Sequence, residues 1–222
     1  MCATWSCIST VCSTRQEKVE RVSVITDAAQ LRALYGQPGS RALKKQLSGF
    51  ERHSRHFVGL SPFCLLATSD AEGRVDVTPR GGPPGFVQIL DDQLLLLPDW
   101  PGNNRLDSLL NILANPEAGL LFLIPGVDEG LRVNGRAEIR TDPDLLERYG
   151  DRGRLPRTVL HISVREVFLH CAKALMRSDL WESRIQRSML PSMGQMLKDQ
   201  IEGLEQVETQ SEMLQRYRQA LY

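Results

Sequence analysis

The sequence has little that would tie it to a membrane or to a polyanion. No apolar run approaches the roughly 20 residues that a membrane-spanning helix needs, and residues 1–15 lack the basic segment and apolar stretch of a secretory signal. Lysine plus arginine and aspartate plus glutamate number 27 each, so no charge excess favours a polyanionic partner. We therefore expect a cytoplasmic protein that binds neither nucleic acid nor membrane.

Motifs for metal binding and nucleophilic catalysis are also missing. None of the five cysteines forms a CxxC pair, and Cys64 and Cys171 lie in apolar, strand-like runs, which favours buried thiols over disulfides or zinc. His53 and His56 have no thiol or carboxylate in register, so the sequence predicts no metal site. The lack of a nucleophile elbow, an HExxH pair and a Walker loop counts against hydrolases.

By pattern, the chain divides into four segments, which are residues 1–26, 27–60, 61–182 and 188–222. The first shows no sustained periodicity and predicts a disordered or extended lead-in. The second has apolar residues at helical spacing that are interrupted by the turn residues 36–39, which predicts two short helices. The third is the main domain.

The last segment carries apolar residues at three- and four-residue steps on a charged background. Pro191 and Ser192 suit the first turn and the cap of a helix, so we predict one long amphipathic C-terminal helix. Its apolar stripe either packs on the main domain or a dimer interface, or binds a separate partner.

The main domain has the pattern of a mainly β fold. Residues 63–68 and 75–78 flank a cluster of turn-forming residues and predict a β-hairpin. Further strand patterns cover 85–90, 93–98, 118–124, 130–140 and 163–171. Because only one helical interval interrupts these strands, we predict a barrel or sandwich and not a parallel α/β sheet.

The most informative stretch is 97–116, in which a strand ends, a Gly/Asn loop follows and a helix begins. Asn103 or Asn104 is suited to cap this helix, and Asn115-Pro116 is suited to end it. Free amides at the helix start and the Arg105 guanidinium together suggest a phosphate site. The alternative is that Arg105 is a surface residue and that the asparagines only cap the helix.

A second basic loop runs from Thr78 to Gly85. Its glycines permit close backbone approach, and Arg80 lies in an otherwise rigid, proline-containing segment. This composition suits a planar polar ligand.

Several of these motifs, in this order, resemble the pyridoxamine 5′-phosphate oxidase-related flavin-binding family: Thr78-Pro79-Arg80-Gly81, Pro101-Gly102-Asn103-Asn104-Arg105, and Leu131-Arg132-Val133-Asn134-Gly135. The resemblance implies a six-stranded split β-barrel with peripheral helices, working as a homodimer with FMN at the interface. The cofactor-binding residues that it suggests are Thr78, Pro79, Arg80, Gly81, Pro98, Asp99, Asn103, Asn104, Arg105 and Ser108.

The segment 167–181 resembles the last barrel strand of the family and its exit. If the chain turns helical there, Lys173, Arg177 and Trp181 share one face and offer two cations and an indole to a flavin or an anionic substrate. The alternative is a cationic surface with Trp181 packed beneath it.

The resemblance leads us to expect an FMN-dependent oxidoreductase that acts on an unidentified small molecule. A flavin enzyme needs no acid–base dyad of its own, and the sequence identifies no catalytic residue. The C-terminal part lacks the arginine- and histidine-rich ending that grips pyridoxal phosphate, which argues against the vitamin B6 reaction. The alternatives are a split barrel that binds F420 or haem, and a non-catalytic flavin-binding or sensing protein.

Overall fold

A computed structural model describes residues 24–150, 153–182 and 186–221. The chain separates into two compact units, residues 1–39 and 40–222. In the first unit the described part contains helix α1 (Ala28–Tyr35), which Asp27 caps by accepting a hydrogen bond from the Gln30 amide. The predicted lead-in at 1–26 and the cysteines Cys2, Cys7 and Cys12 lie almost wholly outside the described residues.

The second unit contains the remaining elements in the order α2 (Ser40–Lys44), β1 (Gln46–Leu47), α3 (Arg52–Leu60), β2 (Phe63–Ser69), β3 (Val75–Gly81), β4 (Gln88–Asp91), β5 (Leu94–Asp99), α4 (Asp107–Ala114), β6 (Glu117–Leu123), β7 (Gly130–Arg140), α5 (Pro143–Glu147), β8 (Thr158–His170), α6 (Lys173–Ser178), a 3₁₀ turn (Arg187–Met189), α7 (Met193–Gln200) and α8 (Gln210–Ala220). None of the described helices is both long and apolar enough to cross a membrane.

All strand pairs of the second unit are antiparallel and belong to one sheet. Its order is β3-β2-β6-β7-β8-β5-β4, with β1 added beside β8. The sheet has the split-barrel arrangement and is not closed, because β3 and β4 do not pair within the described residues. The predicted mainly β fold with peripheral helices is confirmed, although the described sheet has eight strands instead of six.

The main core lies on the inward face of this sheet. Side chains of β2 alternate between half-buried and buried, which places Leu66 inside, and β6, β7 and β8 contribute Phe122, Val133 and Ile162. Each fully buried side chain of this size contributes about 1.5–3 kcal/mol. Strand β5 is buried on both faces because Leu96 packs into a second cluster with Tyr149 and Val159.

The two cysteines inside the described residues differ from each other. Cys64 is fully buried on β2, and desolvation raises the pKa of its thiol to about 12. Cys171 is exposed, so the prediction of a buried thiol is wrong at this position. The chain leaves β8 at His170, one residue earlier than the predicted strand end, and Cys171 is thereby outside the sheet.

The helical predictions for residues 27–60 and 188–222 need correction. Residues 27–60 form three helices and a short strand instead of two helices. The predicted long C-terminal helix is divided into α7 and α8: α7 ends at Gln200, Ile201 is extended, and Gly203 in the following turn has a left-handed backbone (φ 80°). Thr209 and Glu212 then form a capping box that begins α8.

The bulge at Gly135 fixes the register between β7 and β8. The pairing shifts between Asn134 and Gly135, and a Cβ added to Gly135 would lie 2.2 Å from the backbone oxygen of Ser163. A contact this short cannot be relieved without moving the strand, because the opposing atom belongs to the backbone.

We predict that Gly135→Ala lowers the free energy of unfolding by about 1–3 kcal/mol, since the added methyl group overpacks the paired strands. Urea denaturation measures this change. Gly59→Ala is the matched control: Gly59 lies in α3 with open space around it, and the substitution should stabilise by about 0.5–1 kcal/mol. A neutral Gly135→Ala variant would contradict the described register.

Candidate functional site

Most of the predicted site residues surround one cavity of about 480 Å³. It lies where the end of β3, the end of β5, the loop 100–106, the start of α4 and the start of β8 meet. Its walls include Thr78, Arg80, Asp99, Asn103, Asn104, Arg105 and Ser108. The fold therefore brings together predicted residues from two separate stretches of the chain, 78–80 and 99–108.

The Arg80–Asp99 pair joins the ends of β3 and β5. Alternation along β3 turns Thr78 and Arg80 to its half-buried side. The Arg80 guanidinium donates a hydrogen bond to the Asp99 carboxylate, and its Nε donates to Thr78 Oγ1 over 3.2 Å. Only 21% of the Arg80 side chain and 13% of the Asp99 side chain are exposed, so this ion pair is largely removed from solvent.

The loop before α4 has an unusual backbone. Asn104 (φ 58°) and Leu106 (φ 60°) both adopt the left-handed region, which is unfavourable for residues with a Cβ and is often found at functional sites. The prediction that Asn103 or Asn104 caps α4 is wrong. Asn103 Oδ1 instead accepts a hydrogen bond from the Arg105 amide over 3.0 Å, and the N-cap position is Leu106, which has no capping side chain.

Arg105 lies at the start of α4 and is highly exposed. Its Nε donates to Asp107 Oδ2 over 2.8 Å. This hydrogen bond and the charge of Asp107 raise the pKa of Arg105 above its usual value. The guanidinium therefore stays charged, but a carboxylate already occupies part of its hydrogen-bonding capacity.

Helix α4 is attached to the sheet by two polar contacts. Ser108 is buried and donates to Asp76 Oδ2 over 2.8 Å, and Asn111 Nδ2 donates to Thr68 Oγ1 over 3.1 Å. The helix ends at Asn115, ahead of Pro116, as predicted. These contacts hold the start of α4 at the wall of the cavity.

A second cavity of about 340 Å³ lies beside the first and shares Trp100 with it. Gly81 and Pro98 line this second cavity, together with the loop 82–86 and Tyr149. The Tyr149 hydroxyl donates to the Leu96 carbonyl over 3.0 Å, and burial raises the pKa of that hydroxyl. The predicted residues Gly81 and Pro98 thus face a neighbouring space.

Four predicted residues do not line either cavity. Pro79 is exposed on the opposite side of β3 from Arg80, because successive residues of a strand alternate. Lys173 and Arg177 share an exposed face of α6. The predicted common face with Trp181 is wrong, since α6 ends at Ser178 and Asp179 is left-handed; Trp181 instead donates its indole N–H to the Val127 carbonyl over 2.9 Å.

Arg157 and Thr158 also line the main cavity, and they come from a segment in which no site residue was predicted. They lie at the start of β8, which begins five residues before the predicted strand at 163. The β-branched residues Thr158, Val159 and Ile162 were a readable strand signal. No three His, Cys, Asp or Glu side chains come together as a metal-binding group within the described ranges.

An open antiparallel sheet with peripheral helices, as seen here, is the fold of the split-barrel class of proteins. The sequence profile described as pyridoxamine 5′-phosphate oxidase matches residues 50–171, which is more than half of the chain. The chain therefore belongs to the pyridoxamine 5′-phosphate oxidase family. No curated protein matches the sequence significantly.

Several solved structures are similar at low sequence identity. HupZ of Group A Streptococcus is 22% identical with a TM-score of 0.44, over 54% of this chain and 93% of that one. A putative pyridoxamine 5′-phosphate oxidase of Lactobacillus delbrueckii is 22% identical with a TM-score of 0.43, over 56% and 98%. HutZ, the haem storage protein of Vibrio cholerae, is 13% identical with a TM-score of 0.39, over 53% and 92%. Likenesses of this size decide nothing about the ligand.

We predict that Arg80→Met lowers the free energy of unfolding by about 1–3 kcal/mol, because it leaves the Asp99 carboxylate buried without its partner. The double variant Arg80→Met with Asp99→Leu should regain most of this loss, since no charge is then buried. Chemical denaturation compares them. Arg55→Met, which removes a more exposed ion pair with Asp92, is the control and should cost less than about 1 kcal/mol. Equal losses in the single and double variants would contradict the role of the pair.

Proposed function

We propose that the cavity binds FMN and that the chain is an FMN-dependent oxidoreductase acting on a small molecule. The proposal rests on the residues that line the cavity of this chain, which belongs to the pyridoxamine 5′-phosphate oxidase family. Three arginines and two aspartates line it, which leaves a surplus of one positive charge. Its volume of about 480 Å³ falls within the range of about 300–1,000 Å³ that is usual for ligand sites.

The donor set suits a phosphorylated ligand. Helix α4 starts at the cavity wall without a side-chain cap, so its first amides are open to an anion, and the helix dipole favours negative charge there. Arg105 lies beside these amides. In the proposed complex, Arg105 and the start of α4 hold the phosphate, while Thr78 and Arg80 face another part of the ligand.

The lining favours FMN over haem. Haem iron needs an axial ligand, which is a histidine, cysteine, methionine or tyrosine. None of these residue types occurs among the described residues that line the cavity. The positive charge of the cavity is also compatible with F420, which is the alternative cofactor. The alternative to an enzyme is a non-catalytic flavin-binding protein.

FMN, when bound, supplies the hydride or electron transfer, and the protein supplies position and access. Under this proposal the second cavity receives the substrate, because it adjoins the first and shares Trp100. Its lining consists mainly of glycine, proline and aromatic residues, with Arg148 as its one charged residue among those described, and this suits a flat molecule. The Tyr149 proton is held by the Leu96 carbonyl, so we assign this residue to shaping the space.

We predict that the protein takes up added FMN and that Arg105→Ala weakens FMN binding by about tenfold or more, because a charge-assisted hydrogen bond to phosphate is lost. Titration followed by flavin fluorescence measures both affinities. Arg41→Ala is the matched control, since Arg41 is exposed on α2 and lies outside the cavity; it should bind FMN as the wild type does.

The outcomes separate two parts of the proposal. A wild-type protein that takes up F420 or haem, but not FMN, would overturn the cofactor. A wild type that binds FMN with an affinity unchanged by Arg105→Ala would overturn the assignment of Arg105 alone. FMN binding without turnover of any reductant or oxidant would favour the non-catalytic alternative.

We also propose that the protein is a homodimer. The outward side of β3, β2 and β6 carries an apolar sheet face, which consists of Leu65, Val77, Pro79, Leu121 and Leu123. Leu65 lies opposite both Pro79 and Leu121 in the register, so these residues are contiguous. The neighbouring outward side of β7 and β8 is polar and includes the Arg132–Glu166 ion pair. An apolar centre with a polar border is typical of an interface between subunits.

Strand β3 carries Thr78 and Arg80 on the side opposite to the apolar sheet face. This position beside the cavity favours a second copy of the chain as the occupant of the apolar sheet face. An interface at β3 would place the partner subunit next to the cofactor cavity. The exposed cations Lys173 and Arg177, which do not reach the cavity of their own chain, are then candidates for contacts with the ligand across the dimer.

We predict that Val77→Glu converts the dimer to a monomer, since a desolvated carboxylate at the centre of an apolar interface is strongly unfavourable. Sedimentation velocity measures the mass. Leu113→Glu is the control: Leu113 is an apolar residue of α4 that is 74% exposed and lies outside the apolar sheet face, so it should leave the dimer intact. A monomeric wild type, or a dimer in both variants, would contradict this surface.

A further inference from the structure

The three arginines of the main cavity differ in whether a neighbouring carboxylate balances their charge. Arg80 is paired with Asp99, and Arg105 is paired with Asp107. Arg105 also experiences the negative charge of Asp76. Arg157, in contrast, forms no ion pair with any residue that the structure describes. The positive surplus of the cavity therefore resides at Arg157, at the start of β8, and not at Arg105.

The neighbouring residue, Thr158, provides a second indication that a ligand binds here. Thr158 lines the same cavity, and its hydroxyl oxygen is buried without a hydrogen-bond partner among the described residues. Buried hydroxyl groups in native proteins nearly always have a partner. An acceptor atom of a ligand in this cavity would supply it.

The backbone holds both residues firmly against the rest of the site. The Arg157 amide donates to the Asp99 carbonyl over 2.9 Å, and Thr158 lies opposite Asp99 in the β5–β8 register. Asp99 is also the residue that pairs with Arg80. The free cation and the unpaired hydroxyl are thus fixed beside the most buried ion pair of the cavity.

We propose that Arg157 and Thr158 are a second anion-binding element, which receives a phosphate oxygen of the ligand. This inference rests on the proposed function, in which the ligand is FMN. The Arg157 guanidinium pairs with the phosphate, and the Thr158 hydroxyl donates a hydrogen bond to it. Because no described carboxylate competes for Arg157, it contributes at least as much to phosphate affinity as Arg105.

The test compares FMN with riboflavin, which lacks the phosphate. Arg157→Gln should weaken FMN binding by about tenfold or more and leave riboflavin binding unchanged, since only the phosphate contact is lost. Arg136→Gln, at an exposed position of β7 outside the cavity, is the control and should change neither affinity. Equal FMN affinities in the wild type and Arg157→Gln would overturn the inference.

Thr158→Val provides an independent readout, because valine has the shape of threonine without the hydroxyl. It should bind FMN more weakly, yet the free protein should melt at the same temperature or higher, since an unpaired buried polar group has been removed. A merely structural threonine would instead show a lower melting temperature and an unchanged FMN affinity, which would overturn the role of Thr158.

Anion binding by Arg157 and Thr158 can also be tested if the protein does not bind a flavin. If the wild type binds neither FMN nor riboflavin, inorganic phosphate is the probe, and its stabilisation of the protein is followed by the melting temperature. Stabilisation of the wild type and of Arg136→Gln, but not of Arg157→Gln, would support the anion-binding element. Equal responses in all three would overturn it.

Discussion

Strand β8 is the element on which the rest of the structure depends. It pairs with β7 along nearly its whole length, with β5 through its first half and with β1 near its end. In the hydrogen-bonded order of the described sheet, β8 is the strand that joins the β3-β2-β6-β7 part to the β5-β4 part. The bulge at Gly135 sets its register with β7, and its separate register with β5 places Thr158 opposite Asp99 at the wall of the main cavity.

The main cavity has a net positive charge although the sequence contains no long basic segment. The chain has equal numbers of acidic and basic residues, and two of the three cavity arginines are neutralised by neighbouring aspartates. These ion pairs fix the geometry of the walls, whereas Arg157 forms no ion pair within the part of the chain that the structure describes. Local placement of charge, and not the overall balance, is therefore what suits the cavity for an anion.

The proposed homodimer connects this cavity with the outer surface. Strand β3 has Thr78 and Arg80 on one side and the apolar residues Val77 and Pro79 on the other. The alternation of a single strand thus links the proposed cofactor site to the proposed subunit interface. It also explains why Pro79, which the family resemblance suggested as a cofactor ligand, does not reach the cavity of its own chain.

Local signals predicted much of this structure. The β2–β3 hairpin follows from alternating residues around a turn, and the end of α4 follows from Pro116. The cap of α4 was predicted wrongly because the helix begins at Asp107, so that Leu106, in the left-handed region, takes the N-cap position instead of an asparagine. The separation of α7 from α8 was readable from Gly203 and the Thr209–Glu212 capping box. The free charge of Arg157 was not readable, because it depends on which arginines find aspartates in space.

A native mass spectrum of the protein after incubation with FMN tests the proposed cofactor and the proposed dimer together. We predict a species of two 25.0 kDa chains that carries two FMN molecules. A protein that remains free of FMN at saturating concentration would contradict the central claim that this cavity is a flavin site.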